Sequence, residues 1–397
     1  MSSFQTQRDL FDLPEGITYL DGNSLGPLPK SAVDRARTTM AEEWGPMLIT
    51  GWNKARWMDL PARLGDRIGR LIGAPAGSTV VGDTLSIKVY QAVASAVEMR
   101  PGRKIVLSDN GNFPSDLYIA DGLLKSLKQG HELKVVDPEA VAENITEDVA
   151  AVMLTHVDYR TGRVHDMKAI TDKAHAAGAI MIWDLAHSAG ALPVDLTGCN
   201  ADIAVGCTYK YLNGGPGAPG FIHVRPDLID QVRPALSGWL GHQAPFAFDL
   251  DYRPGEGISR MRVGTPPVIQ MTVLDAALDA FDGVEMTDIR ARSIELSEQF
   301  ISEVEDGCKD VVLASPRDPQ ARGSQVSFRF HEGYAAMQAL IARGIIGDFR
   351  APDIMRFGFC PLYNTADDVR HAAAVLCEII ATGEWDRPEF KQRKAVT

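Results

Sequence analysis

Six short runs dominated by valine, isoleucine and alanine leave this chain little freedom in what it can fold into. They are STVVGD (78–83), KIVLSD (104–109), AAVMLTHVD (150–158), AIMIWDLA (179–186), ADIAVG (201–206) and GFIHVR (220–225). Each is apolar nearly throughout rather than at alternate positions, the pattern of strands covered on both faces. Between them the apolar period lengthens to that of a helix. Ile87, Tyr90, Val93, Ala94 and Val97 share one helical face, and DMKAITDKAHAAG (166–178) ends on a glycine suited to a helix C-cap. Strands alternating with helices predict a mostly parallel, doubly wound α/β domain.

After about residue 265 the pattern changes. PPVIQMTVLDAALDAF and DIRARSIELSEQFISEVE read as two long helices. Then come a strand over SQVSFRF (324–330), a helix from Tyr334 to Arg343, a strand over IMRFGFC (354–360) and a last helix from Ala366 to Ala381. The 397 residues exceed one simple core. The expected organisation is a large domain over 51–265, a smaller α+β domain over 266–397, and an N-terminal segment, 1–50, packed on the small domain or a partner subunit.

Composition narrows the function classes. A net charge of −12 argues against nucleic acid or an anionic membrane as the main partner. No apolar run approaches the roughly 18 residues of a membrane span. The N-terminus has no basic region followed by an apolar core, and the five cysteines show no CxxC spacing. Both point to reduced thiols in a cytoplasm and to no zinc site.

In an open α/β sheet, ligands bind beyond the carboxyl ends of the strands. There stand Gly82-Asp83-Thr84-Leu85-Ser86, Asn112 to Asp116, Thr155-His156, Asp184 to His187, and Tyr209-Lys210. Two motif matches elsewhere are set aside. GNSLG (22–26) fits the G-x-S-x-G nucleophile elbow of a serine hydrolase, but Pro27 and Pro29 delay any helix to about Lys30. GPGAPG (215–220) fits G-x-G-x-x-G, yet it leads into a strand and carries two prolines, so it reads as a turn.

Lys210, between two tyrosines at the end of a buried run, needs a partner or a task. Alone it reads as a surface lysine, and Asp184 alone as a cap or turn residue. Together they suit one ligand, pyridoxal phosphate. That cofactor takes a lysine amine covalently and an acid against its pyridine nitrogen. GDTLS, opening a helix at Ser86, offers backbone N–H groups for its phosphate. Phe113 and His187 are candidate faces for the ring.

DLAHSAG (184–190) followed by YKYLNGG (209–215) resembles the fold-type I, class V aminotransferase-like pyridoxal phosphate enzymes. Within that group YLDGNSLGPLPK (19–30), NFPSDLY (112–118), SGWLGHQ (237–243) and CPLYNT (360–365) resemble the kynureninases, from about residue 10 to 380. The resemblance implies that Lys210 holds the cofactor, Asp184 pairs with the pyridine nitrogen beside His187, and Phe113 stacks on the ring with Asp116 in support. Leu85, Ser86 and Tyr209 would cradle the phosphate, with Trp239 and Thr265 reaching it from the other subunit of a homodimer. Thr155 would lie near the ring, and Arg356 would bind the substrate α-carboxylate.

The implied reaction is hydrolysis of L-kynurenine to anthranilate and L-alanine by Cβ–Cγ cleavage. Lys210, Tyr209 and Asp184 would be its catalytic residues, and the reaction would serve tryptophan catabolism or NAD precursor supply. Kynureninases that prefer the 3-hydroxylated substrate carry a histidine near Trp52 and an asparagine at Thr265. Trp52 and Thr265, with Ser24 in the same pocket, therefore resemble the bacterial, kynurenine-preferring type. Other readings stay open: an aminotransferase, a cysteine desulfurase, or a serine hydrolase using Ser24. A desulfurase needs a cysteine before the final-domain arginine, and RGIIGDFRAPDIMR (343–356) has none; Cys360 reads as core.

Overall fold

A computed structural model of the chain describes residues 4–393. The apolar runs become strands β1 (Thr79–Val81), β2 (Ile105–Asp109), β4 (Val149–Thr155), β5 (Ile180–Asp184), β6 (Ile203–Gly206) and β7 (Phe221–Val224), joined by β3 (Glu132–Val136). They form one sheet in the order β1-β7-β6-β5-β4-β2-β3. Strands β2 to β6 are parallel, whereas β7 runs antiparallel to both its neighbours. The reason is local: only residues 207–220 link β6 to β7, without the helix that a parallel crossover needs. Edge strand β3 escapes the sequence pattern because ELKVV is half exposed and charged.

Helices cover both faces. On one, α3 (Leu85–Met99) and α4 (Pro114–Leu127) pack Val89, Val93, Ala120 and Leu124 against Val106, Met153, Ile182 and Ile222. The other is covered by α2 (Leu60–Leu71), α5 (Met167–Ala176) and α6 (Val268–Ala277). There Leu64, Ile68, Met271 and Leu274 meet Leu107, Leu154 and Trp183. Helix α1 (Lys30–Thr38) begins directly after Pro29 and lies along α6, where the Thr39 and Thr272 hydroxyls bond at 2.9 Å.

A second sheet, β8 (Val312–Leu313), β9 (Gln325–Arg329), β11 (Ile354–Gly358) and β10 (Asp348–Arg350) in that order, is antiparallel throughout. Helices α7 (Met286–Gly307), α8 (Gly333–Ala342) and α9 (Ala366–Thr382) close its core around Phe300, Val304, Phe328, Phe357 and Leu376. Packing changes partner inside α7 rather than at residue 265. Ile289 still belongs with the large sheet, and Leu296 onward with the small one. The N-terminal segment straddles the two. Phe11 joins the large core, while Thr18–Tyr19 pairs in parallel with Ile345–Ile346. No helix among the described residues is long and apolar enough to cross a membrane.

Candidate active site

The parallel strands end on one side, and the candidate residues gather there. Asp184 closes β5 and pairs in register with Thr155, the last residue of β4. Lys210 follows β6 on a turn whose backbone folds on itself, with Asn213 N–H on the Lys210 carbonyl and Gly214 N–H on that of Thr208, each at 2.8 Å. The Lys210 Nζ donates to His187 Nε2 at 3.2 Å. Burial, then the charges of Lys210, Arg356 and Arg350, hold His187 well below its usual range. The imidazole is therefore neutral, and its Nε2 is free to accept from the ammonium.

Asp184 is buried and accepts the Ala186 N–H at 2.9 Å. Burial pushes its carboxyl up to about 6, partly offset by Lys210. Asp116, equally buried, is raised well above the carboxylate range by burial and then by the Asp184 charge. Two carboxyls this close cannot both ionise, so Asp116 keeps the proton and donates it to Asp184. The second Asp116 oxygen, Oδ2, has no partner.

Two helix N-termini complete the site. Asp83 takes a left-handed φ of +56° and turns the chain into α3, whose N-cap is Thr84. Below this turn Lys88 is wholly buried, its ammonium held by Asp83 Oδ2 (3.1 Å), Gln91 Oε1 (3.0 Å) and the Met261 carbonyl (3.1 Å). Helix α4 starts beside it, and Ser86 and Ser115 face each other with their hydroxyls 3.5 Å apart. The first turns of both helices thus border one space, where an anion is favoured. Together Leu85, Ser86, Phe113, Asp116, Asp184, His187, Tyr209 and Lys210 line one cavity of about 140 Å³. All eight were expected from the sequence; Thr84, Ser115 and Ala186 also line it. The Lys210 Nζ lies 5.9 Å from the Phe113 ring centroid and 5.7 Å from that of Tyr209. An amine, an acid pair with an unsatisfied oxygen, and an anion cradle in one cavity fit pyridoxal phosphate.

The remaining expected residues sit elsewhere in the chain. Thr155 does not line the cavity; its hydroxyl donates to the Val157 carbonyl at 3.1 Å. Arg356 is buried behind the site, on Asp348 and on Ser24 Oγ at 2.9 Å. The Ser24 hydroxyl donates to Asp348, and no imidazole bonds it among the described residues, so the arrangement of a serine hydrolase is missing. Trp52 and Thr265 line a separate apolar groove of about 450 Å³ with Trp44, Leu48 and Ile49. Trp239 is exposed and packs edge-on against Phe246. Cys360 is buried, its thiol pushed up to about 12 by desolvation, which suits core and not a nucleophile. Tyr211, the tyrosine after Lys210, is buried and donates its hydroxyl to the Ser324 carbonyl at 3.2 Å, tying the Lys210 turn to the small sheet.

Residues 289–376 match the family model of the kynureninase C-terminal domain, and residues 130–205 that of the DegT/DnrJ/EryC1/StrS aminotransferase family. A cysteine desulfurase from Thermococcus onnurineus NA1, solved in its apo form, shares the fold. Its TM-score is 0.80 at 19% identity, over 96% of this chain and 99% of that one. A C-DES variant with glycine covalently linked to its pyridoxal phosphate superposes at 0.79 with 20% identity, over 94% and 99%. Among curated relatives, a kynureninase of Burkholderia pseudomallei (strain 1106a) is 47% identical over 98% of this chain and 95% of its own length. The kynureninase of Pseudomonas fluorescens is 49% identical over the same shares. At that identity along nearly its whole length, the chain belongs to the kynureninase family.

Proposed function

We propose that this chain hydrolyses L-kynurenine to anthranilate and L-alanine with pyridoxal phosphate as cofactor. The observation that carries the reading is the shared cavity: Lys210, Asp184 and two helix N-termini open into one space, in a chain 49% identical to a kynureninase. Bound there, the cofactor supplies an electron sink for charge developing at the substrate Cα. Lys210 would hold it, with Asp184 against the pyridine nitrogen, Phe113 on the ring, and Leu85, Ser86 and Tyr209 at the phosphate.

The chain's own groups do the rest. Once freed, Lys210 takes a proton from the substrate Cα and returns one later. Neutral His187 accepts a hydrogen bond from the lysine and orients it. Asp116 keeps its proton and steadies the charge on Asp184. The Tyr209 phenol is raised by burial and by Cys207, so it stays protonated and suits a donor at the substrate γ-carbonyl as water adds. Breaking Cβ–Cγ then releases anthranilate; the proton given up by the added water goes to Cβ, and the proton taken by Lys210 returns to Cα, which gives L-alanine.

We further propose a homodimer that shares its sites, a preference for kynurenine over 3-hydroxykynurenine, and a cytoplasmic place in tryptophan breakdown or NAD precursor supply. The dimer is supported by Trp52, Trp239 and Thr265, which lie away from this chain's own Lys210 cavity. Exposed Trp44, Leu48, Ile49, Phe246 and Phe248 supply apolar surface for it. The preference is supported by the apolar groove around Trp52 and Thr265, which offers little to a ring hydroxyl. Five unbonded cysteines accord with a reducing compartment.

The experiment loads the protein with pyridoxal phosphate, adds L-kynurenine and follows anthranilate fluorescence, with Lys210→Ala as control. Wild-type anthranilate release that the control lacks is the expected result. Amino transfer to pyruvate without anthranilate overturns the proposal. Light scattering reads the dimer, and mixing Lys210→Ala with Trp239→Ala chains restores activity only if sites are shared.

A further inference from the structure

Arg356 on β11 stands directly across from Asp348 on β10, as Cα partners in the small sheet. Its Nε donates to Asp348 Oδ1 at 2.5 Å, its Nη2 to Asp348 Oδ2 and to Ser24 Oγ at 2.9 Å, and its Nη1 to the Tyr159 carbonyl. A guanidinium has five N–H groups. Four are committed here, so Arg356 alone has no free pair with which to clamp a carboxylate.

A second guanidinium lies beside the first. Arg350 is two residues beyond Asp348 on the same strand, hence on the same face. Its Nη2 is 2.8 Å from Asp348 Oδ2 and 3.5 Å from Ser24 Oγ. The Ser24 oxygen therefore sits between the Nη2 atoms of two arginines, while its own proton points at Asp348. A neutral hydroxyl is a weak acceptor for two cations; a carboxylate oxygen is a strong one. The place adjoins the cavity, because His187, the partner of Lys210, hydrogen-bonds the backbone of Asn23, the residue before Ser24. Tyr159, whose carbonyl holds Arg356, packs its ring edge-on against Phe113 at 5.2 Å.

Charge and access agree. Two guanidinium groups share the single Asp348 carboxylate, and burial and the Asp348 charge raise the neighbouring Asp21 carboxyl well above its usual range, so the spot favours an anion. The Arg350 side chain is 33% exposed against 2% for Arg356, so an incoming anion meets Arg350 first.

We propose that Arg350 is a second substrate-binding cation, sharing with Arg356 a carboxylate seat that the Ser24 oxygen marks, with Asp348 as the positioning residue between them. The inference rests on the reaction proposed above for its substrate, an α-amino acid. It is tested on the pyridoxal-phosphate-loaded protein with Arg350→Gln, Arg350→Lys and Ser24→Ala. For Arg350→Gln, KM for L-kynurenine should rise about ten- to a hundred-fold, the worth of one charge-assisted hydrogen bond, with kcat nearly unchanged. Equilibrium titration should show L-alanine weakened by a similar factor and ethylamine, which lacks the carboxylate, unaffected. Arg350→Lys should recover most of the loss, and Ser24→Ala should bind L-alanine at least as well as wild type.

An unchanged KM, or equal weakening of L-alanine and ethylamine, overturns the role of Arg350. A tenfold loss of L-alanine affinity in Ser24→Ala overturns the shared seat. If wild type releases no anthranilate, the reaction fails as proposed, yet the L-alanine and ethylamine comparison still decides the subsite.

Discussion

The GNSLG segment (22–26) tests how the N-terminal segment and the Lys210 turn fit together. Gly26 donates its N–H to the Tyr209 carbonyl at 2.8 Å. A Cβ at Gly26 would lie 2.4 Å from the Lys210 carbonyl oxygen, 2.5 Å from Asn213 Oδ1 and 2.6 Å from Asn213 Cα. Two of these atoms are backbone and cannot rotate away, so Gly26→Ala must push the loop off the turn by about 1 Å. Overpacking of this kind costs about 1–3 kcal/mol, and the broken hydrogen bond about 1 kcal/mol more. For a chain of this length, a total of about 2–4 kcal/mol corresponds to a fall in Tm of about 2–5 °C. The push also acts on the turn that carries Tyr209 and Lys210, so KM for L-kynurenine should rise with it. Gly102→Ala is the control, since a Cβ there meets nothing within 4 Å. Scanning calorimetry and steady-state anthranilate release read the two effects. A Gly26→Ala protein with the Tm and KM of the Gly102→Ala control would refute the close docking of loop on turn.

Lys210→Ala should abolish the visible absorption band of lysine-bound pyridoxal phosphate and all anthranilate release while leaving Tm within a degree or so; a retained band would move the attachment elsewhere. Asp184→Asn should weaken cofactor affinity by about tenfold or more, because it removes the charge facing the pyridine nitrogen, whereas Asp116→Asn, which keeps a donor toward Asp184, should have a smaller effect; equilibrium dialysis with pyridoxal phosphate decides, and the reverse order would contradict the assigned protonation of the pair. His156 is buried and pushed down to about 3, and His223 to about 4, against an ordinary value of 6.5. Below pH 6.5 the unfolded chain therefore binds protons that the folded chain refuses, and stability falls as pH drops towards 4. Each histidine removes about 2 kcal/mol by pH 5, while Asp184, raised to about 6, works in the opposite sense in the cofactor-free chain. Urea unfolding of His156→Gln at pH 7 and pH 5 should show a shallower acid loss than wild type, and equal slopes would mean that His156 is protonated in the fold.

What the sequence disclosed follows from where the chemistry sits. Asp184, Tyr209 and Lys210 follow apolar runs, so their chemistry stands out against a buried background. Leu85, Ser86, Phe113 and Asp116 open helices directly after such runs. Periodicity placed the large sheet for the same reason, and it missed β3 because an exposed edge strand has no apolar stripe. Asp21, Asp348 and Arg350 were invisible as site residues. Nothing in their own segments marks them out, and for Asp348 and Arg350 it is the cross-strand pairing of Asp348 with Arg356 that brings them to the site. That pairing is fixed by the β10–β11 register, which depends on Phe349, Met355 and Phe357 packing between sheet and helices. Local pattern therefore reveals a group whose burial is set by its own segment. It stays silent on one buried by a neighbour that lies far off, as Ser24 does from Arg356. The proposed cofactor end of this site is of the first kind and the proposed carboxylate end of the second. Substitutions at the small-sheet end should for that reason alter which substrate is held more readily than which bond is broken.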